Sequence, residues 1–371
     1  MTSLFNVAVS NLNVNETNTR EIDTYVSNLA AKYNNALQNY KKNTGKEHPL
    51  AIKTNDKRDE TSVDLKPVGG GGAWIGPITV GGQEFLIDFD TGSPDLIVNH
   101  GAYDPSKSNT AVNTHKHFKQ SYGDGTHGDG TVYRDSLKLG DATAKSVSVG
   151  LTNQQMIDPS HTGGNQGIAG MSFTSISGFR AQDKNAMSIY EALRKSHSIP
   201  HNVYQFTLTT GDGSQLHVGG VDKSKISSDV TYVNVNPDQG FWVTSAKISG
   251  VGFRAVIDSG TTIIIGVHDQ VKQLFKKIDG VEPLQKGDML YGVYDCDRDL
   301  GIALNIGGKD FRIPKEVQKL GGAGDGRCIL SIAGASHQLP LNAWIVGDTL
   351  FRGHSIIFDV DNHRIGFATA A

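Results

Sequence analysis

Two aspartates in this 371-residue chain sit in the same short pattern. Leu86-Ile87-Asp88-Phe89-Asp90-Thr91-Gly92-Ser93 runs on to Leu96-Ile97-Val98. Ala255-Val256-Ile257-Asp258-Ser259-Gly260-Thr261 runs on to Ile263-Ile264-Ile265-Gly266. Each reads apolar strand, Asp, hydroxyl residue, Gly, hydroxyl residue, apolar strand, and Asp90 and Asp258 stand 168 positions apart. A second echo follows each, Gly167-Ile168-Ala169-Gly170 and Trp344-Ile345-Val346-Gly347. Either triplet alone is an ordinary turn. Two copies in matched surroundings are a duplicated unit.

A carboxyl group at the end of a buried strand is desolvated, and its pKa rises. Two of them face to face cannot both ionise cheaply, so they share a proton and serve as acid and base together. A water between them is polarised by the ionised member and attacks a carbonyl, while the protonated member donates to that carbonyl oxygen. Gly92 and Gly260 let the backbone turn beside each carboxylate. Thr91 and Ser259 can lock the two loops together, and Ser93 and Thr261 can fix the outer carboxyl oxygens.

The elements that must position these groups are mostly strands. Forty-four Gly and eleven Pro favour tight turns over a helical bundle. The length suggests two domains and an appendage. Apolar runs bounded by glycines begin with Ala73 to Val80, closed by Gly81-Gly82, and resume at Gln83. Helical spacing is confined to Ile22–Tyr40, Ser188–Ser196 and Val267–Ile278. Residues 1–58 differ from the rest: eight Lys and Arg against five Asp and Glu give +3, leaving −6 for the remainder of a chain of net charge −3. Lys57-Arg58 marks that step and reads as a processing site. The charge speaks against nucleic acid as a partner, and no run of eighteen apolar residues offers a membrane span. Cys296 and Cys328 are the only cysteines, either a disulfide or two buried thiols. His127, His161, His217 and His268 have no metal-ligand spacing with any partner, so neither metal nor cofactor is expected.

From about Trp74 to the end, the chain resembles the pepsin-like aspartic endopeptidases, in a fungal style. The motifs that carry the resemblance are Phe89 to Ser93, Tyr122-Gly123-Asp124-Gly125, Val256 to Thr262, and Ile345-Val346-Gly347-Asp348 to Ile365-Gly366-Phe367-Ala368. It implies a mostly β, bilobal fold, two barrel-like lobes related by a pseudo-dyad with the cleft between them. The lobes would be 59–206, with Asp90 and the flap, and 207–371, with Asp258. Tyr122, Gly123, Asp124 and Gly125 would form the flap over the cleft, with Thr262 beside it on the substrate. Cys296 and Cys328 would form the disulfide of the second lobe. Ile97 stands where the family often carries a Trp bonded to the flap Tyr, so this flap is held differently, and Gln166 replaces a common Asp.

The same resemblance makes residues 1–58 a pro-segment that inhibits in cis, with Lys32, Lys41 or Lys42 meeting the aspartates. It implies a monomeric, secreted acid endopeptidase acting on peptide or protein substrates, with the vacuole as the other destination. Asn15-Glu16-Thr17 is a glycosylation sequon in the pro-segment. Ile97, His127, Phe241, Trp242, Met289 and Tyr291 are candidate subsite residues. The alternative is a catalytically silent binding or inhibitor protein of the same fold, which the two intact aspartates and glycines disfavour.

Overall fold

Gln83–Asp90 alternates as a half-covered strand should: Phe85, Ile87 and Phe89 are buried, and the residues between them are more open. It runs into the turn at Thr91-Gly92, and Leu96–Val98 leaves that turn as a fully buried strand. In the computed structural model of the protein, described for residues 29, 32, 33, 35–45, 60–68, 73–122, 127–335 and 342–371, this unit occurs twice. Gln83–Asp90 lies parallel to Gly167–Gly170, with Asp90 opposite Gly170, and Gly167–Gly170 is antiparallel to Leu96–Val98. In the second copy Val251–Ile257 lies parallel to Trp344–Val346, which is antiparallel to Ile264–Val267. The two apolar-Gly echoes are therefore the strands threaded between the arms of each aspartate loop.

Among the described residues each copy belongs to its own large sheet, one of eight strands and one of ten. A six-stranded sheet joins them beneath, in the order Thr61–Asp64, Gln215–Val218, Val203–Leu208, His354–Asp359, Arg364–Thr369, Thr231–Asn234. One apolar core runs through both halves and that sheet, from Trp74, Ile87 and Phe89 to Trp242, Trp344 and Phe358. Trp242 closes the seam between the halves. Its indole N–H donates to the carbonyl of Met171 at 3.0 Å, and its ring packs on Phe173 and Phe358.

Helix Ile189–Lys195 sits within the expected span; Ser188 caps it, accepting from the Glu191 N–H while Glu191 returns the bond. The expected helix from Val267 to Ile278 is shorter, His268–Phe275, because Val267 ends strand Ile264–Val267 and is extended. The expected helix near the N-terminus is helical at residues 29, 32, 33 and 35–44, whereas Ile22 and Tyr25 lie outside the described residues. Cys296 and Cys328 form a disulfide across a separation of 32 residues. Closing such a loop stabilises by about 4 kcal/mol in the chain-entropy picture.

Candidate active site

Asp90 and Asp258 meet at the centre of the molecule, 2% and 0% exposed. Each ends its strand and turns through its own triplet. The two loops grip one another. Thr91 N–H donates to Ser259 Oγ at 3.0 Å, and Ser259 N–H donates to Thr91 Oγ1 at 2.9 Å. Each hydroxyl then reaches across to the other strand, Thr91 Oγ1 to the Ile257 carbonyl at 3.0 Å and Ser259 Oγ to the Phe89 carbonyl at 2.7 Å. Four bonds related by the repeat hold the carboxyls at a fixed separation.

Each carboxyl is then oriented within its own loop. Gly92 N–H donates to Asp90 Oδ1 at 2.8 Å, and Gly260 N–H to Asp258 Oδ1 at 3.0 Å. Ser93 Oγ donates to Asp90 Oδ2 at 2.6 Å, and Thr261 Oγ1 to Asp258 Oδ2 at 2.7 Å. The expected dyad supports, Thr91, Gly92, Ser93, Ser259, Gly260 and Thr261, are thus all in contact with the aspartates or with the loops that carry them. Thr262 lies further out, its carbonyl accepting from Thr349 Oγ1.

Of the three candidate lysines, Lys32 reaches the pair. Its ammonium donates to Asp90 Oδ1 at 3.2 Å and to Asp258 Oδ2 at 3.1 Å. Lys41 and Lys42 are exposed. Tyr33, the next residue along, donates its hydroxyl to Asp258 Oδ2 at 2.8 Å. Leu29, Tyr33, Ala36 and Tyr40, spaced along one helical face, are buried against Phe241, Ile263, Met289, Tyr291 and Ile345. The Tyr33 and Phe241 rings lie 4.9 Å apart. Asn43 Nδ2 fastens the far end to the carbonyls of Ser175 and Ser177, at 3.2 and 2.9 Å.

The electrostatics follow from this burial. Burial alone would lower the Lys32 ammonium, but the charges of Asp258 and Asp90 overcome it and hold it above its ordinary value. Burial also leads for both carboxyls, and there the pair divides. Asp90 stays raised, because Asp258 adds to burial what Lys32 takes away. Asp258 is lowered, because Lys32 and the bonds from Asp90, Thr261 and Tyr33 outweigh burial. In this arrangement Asp90 is the member that protonates first.

Tyr122 is buried in an apolar cluster with Ile97, Phe118, Val132 and Phe179. Ile97, at the position where the resemblance led one to look for Trp, packs in the same cluster as Tyr122. Gly123, Asp124 and Gly125 lie outside the described residues, as do Lys57, Arg58 and the Asn15 sequon. Among the subsite candidates, Phe241, Met289 and Tyr291 line the wall that Tyr33 covers, and His127 is exposed beside Ser121 on the hairpin. Trp242 is not a cleft residue, being buried in the seam. His161, His217 and His268 bond to Asp158, Glu60 and Asp269 respectively. No group of three or more His, Cys, Asp or Glu among the described residues is arranged to hold a metal ion.

Two lobes, each lending one aspartate to a mutually bonded pair of loops, define a protease of the two-aspartate class. Residues 73–370 match the family "Eukaryotic aspartyl protease", and the chain belongs to that family. It is 41% identical over 347 residues to Secreted aspartyl protease 1 of Malassezia globosa, covering 92% of this chain and 86% of the relative. It is 28% identical to Penicillopepsin-1 of Penicillium janthinellum, covering 80% and 95%. A second Malassezia globosa relative, 30% identical with coverage of 82% and 80%, is named a probable inactive secreted aspartyl protease. The solved aspartic proteinase from Irpex lacteus superposes with a TM-score of 0.70 at 18% identity, over 84% of this chain and 98% of that one. The fold is mostly β and bilobal, in the pepsin-like manner.

Proposed function

We propose that Asp90 and Asp258 are the catalytic pair of an acid endopeptidase made in latent form, with residues 1–58 as its own inhibitor. The observation that carries this reading is the ligation of both carboxylates by one ammonium and one phenol from adjacent residues, Lys32 and Tyr33. These groups fill the position a hydrolytic water needs. With the segment removed, the pair would hold one proton. The ionised member takes a proton from water as its oxygen adds to the peptide carbonyl carbon, and the protonated member donates to the carbonyl oxygen. Collapse of the resulting diol breaks the C–N bond: the departing nitrogen takes up the proton held by the pair, and one diol hydroxyl returns its proton to the pair as the carboxylic acid forms.

In this reading the segment ends at Lys57-Arg58, and residues 59–206 and 207–371 form the two lobes. Tyr122 to Gly125 is the lid that excludes water, with Thr262 at the substrate's edge. The substrate is an extended peptide, pinned by strand-like bonds and cut between bulky apolar residues, as the Phe241, Met289 and Tyr291 wall suggests. The protein works as a monomer. The names of its relatives support secretion, and the disulfide suits an oxidising compartment, a vacuole included.

The test is digestion of denatured globin by the full chain, before and after acidification, with and without a statine-type inhibitor, alongside N-terminal sequencing. Cleavage that starts with loss of Met1, stops with the inhibitor and is absent from Asp90→Asn and Asp258→Asn supports the reading. Full activity with Met1 still attached removes the latent form. Turnover in either Asn variant, expected to fall by about 10³-fold or more, removes the mechanism.

A further inference from the structure

Side chains alternate along strand Val251–Ile257, so Val256 and Arg254 point to the same side of the sheet. The neighbouring strand Val243–Ile248 sets Val243 opposite Val256 and Ser245 opposite Arg254. Val243 and Val256 belong, with Ala343 and Ile345, to the apolar wall that Tyr33 covers. That wall therefore runs on past Val256 to a polar end at Ser245 and Arg254. Strand Trp344–Val346 lies beside Ala255–Ile257 only, and among the described residues no strand continues it along Val251 to Arg254. A cavity of about 380 Å³ opens at the uncovered edge, with Ser245, Lys247, Arg254, Gln270, Asn342 and Ala343 in its lining.

The cations of this cavity are not matched by acids. Among the described residues no Asp or Glu lines it. Neither Lys247 nor Arg254 makes an ion pair or a side-chain hydrogen bond among those residues, and Arg254 Nε is buried without a partner. Lys277 brings a third charge to the tip of the hairpin, its ammonium 3.6 Å from where a β-carbon on Gly250 would lie. Gly252 stands opposite Lys247 and two residues before Arg254. Its backbone angle is not left-handed, and a β-carbon there would meet nothing nearer than Lys247 Cγ at 3.8 Å. Neither strain nor crowding calls for glycine at that place, and its absent side chain leaves room beside the guanidinium. Residues 59–371 carry a net charge of −6, so these unmatched cations run against the rest of the body.

A guanidinium is a planar fork that holds a carboxylate through two parallel bonds. Arg254 stands four residues before Asp258, roughly 13 Å along an extended strand. Three or four residues of an extended peptide span the same distance.

We propose that this cavity is a subsite for an acidic side chain of the peptide substrate, with Arg254 and Lys247 holding its carboxylate, so that the enzyme favours chains with Asp or Glu three or four residues from the bond it cuts. The apolar wall takes the bulky residues beside that bond, and the cavity adds selection by charge further out. The inference rests on the reading of Asp90 and Asp258 as the catalytic pair.

The test uses pairs of quenched peptides around a central Phe-Phe bond. The twins of a pair differ only by Glu or Gln at one position, three or four residues from that bond on either side. Acid-treated enzyme cleaves them at pH 5 and low salt, where a substrate Glu is ionised. At one of these positions the parent's kcat/KM should be about tenfold higher for the Glu twin than for the Gln twin. That ratio should fall to near parity in Arg254→Gln, shrink in Lys247→Gln and survive in part in Arg254→Lys. Lys247 is exposed, so its variant keeps the test in force should Arg254→Gln not fold. A parent that cuts the twins equally at every position overturns the proposal, as do variants that slow both twins alike and leave the ratio in place. The same twins, labelled, are titrated onto the acid-treated chain by fluorescence anisotropy. If neither twin is cut and the Glu twin binds more tightly, the catalytic reading falls and the subsite stands. Equal binding without cleavage ends both.

Discussion

A β-carbon added at Gly92 would lie 2.4 Å from the Asp258 carboxyl carbon, and one at Gly260 2.3 Å from Asp90 Oδ1. Neither glycine is needed for an unusual backbone angle. Each is there because the opposite aspartate approaches within a methyl group's reach. Gly92→Ala should therefore fold and yet lose about 10²-fold or more in kcat/KM, since a displacement of an ångström in a reacting group has that effect. Steady-state kinetics on a variant shown to be folded by circular dichroism would check it, with the overlap lowering its stability by about 1–3 kcal/mol. The Asp-hydroxyl-Gly-hydroxyl pattern was legible in the sequence because local order and tight approach demand small and hydroxylated residues at fixed positions.

Leu29, Tyr33, Ala36 and Tyr40 make the N-terminal helix a wedge with one apolar face, and Lys32 at the edge of that face carries the only charge that enters the cleft among the described residues of the segment. Its seat depends on ionised aspartates. Asp90, held up at about 6, gains its proton as pH falls through that value, and the ammonium then faces one negative charge instead of two. Docking releases a proton from the pair, so affinity falls with pH, and Asp258, held below its ordinary value, keeps a residual attraction to lower pH. Lys32→Met keeps the stem of the side chain and removes the charge. It should show protease activity at pH 6–7, where the parent is proposed to be latent, with the gain read as initial rates on a quenched peptide. The helix was legible from spacing, and the basic character of its segment from counting. Which lysine entered the cleft was not legible, because helical spacing fixes a face but not the depth at which it meets a groove. Tyr33 escaped for the same reason: its ring was visible as part of the apolar stripe, but its hydroxyl acquires a role only where the stripe ends against Asp258.

At the scale of the whole molecule, two similar halves are joined by a seam that is not symmetric. The fold class was legible because the duplication and its glycines are written in the chain; the asymmetry of the seam was not, because the sequence shows Met171 and Asp348 following the two echoes but not what each of them faces. Trp242 meets a backbone carbonyl, which has no charge to gain or lose, and its ring fills the space between Phe173 and Phe358. Trp242→Phe removes one buried bond, leaves the Met171 carbonyl unpaired and opens part of a packed volume. The expected loss is about 2–4 kcal/mol of unfolding free energy. Because nothing at that point titrates, the loss should be the same at pH 4 and pH 7 by denaturant titration of the full chain.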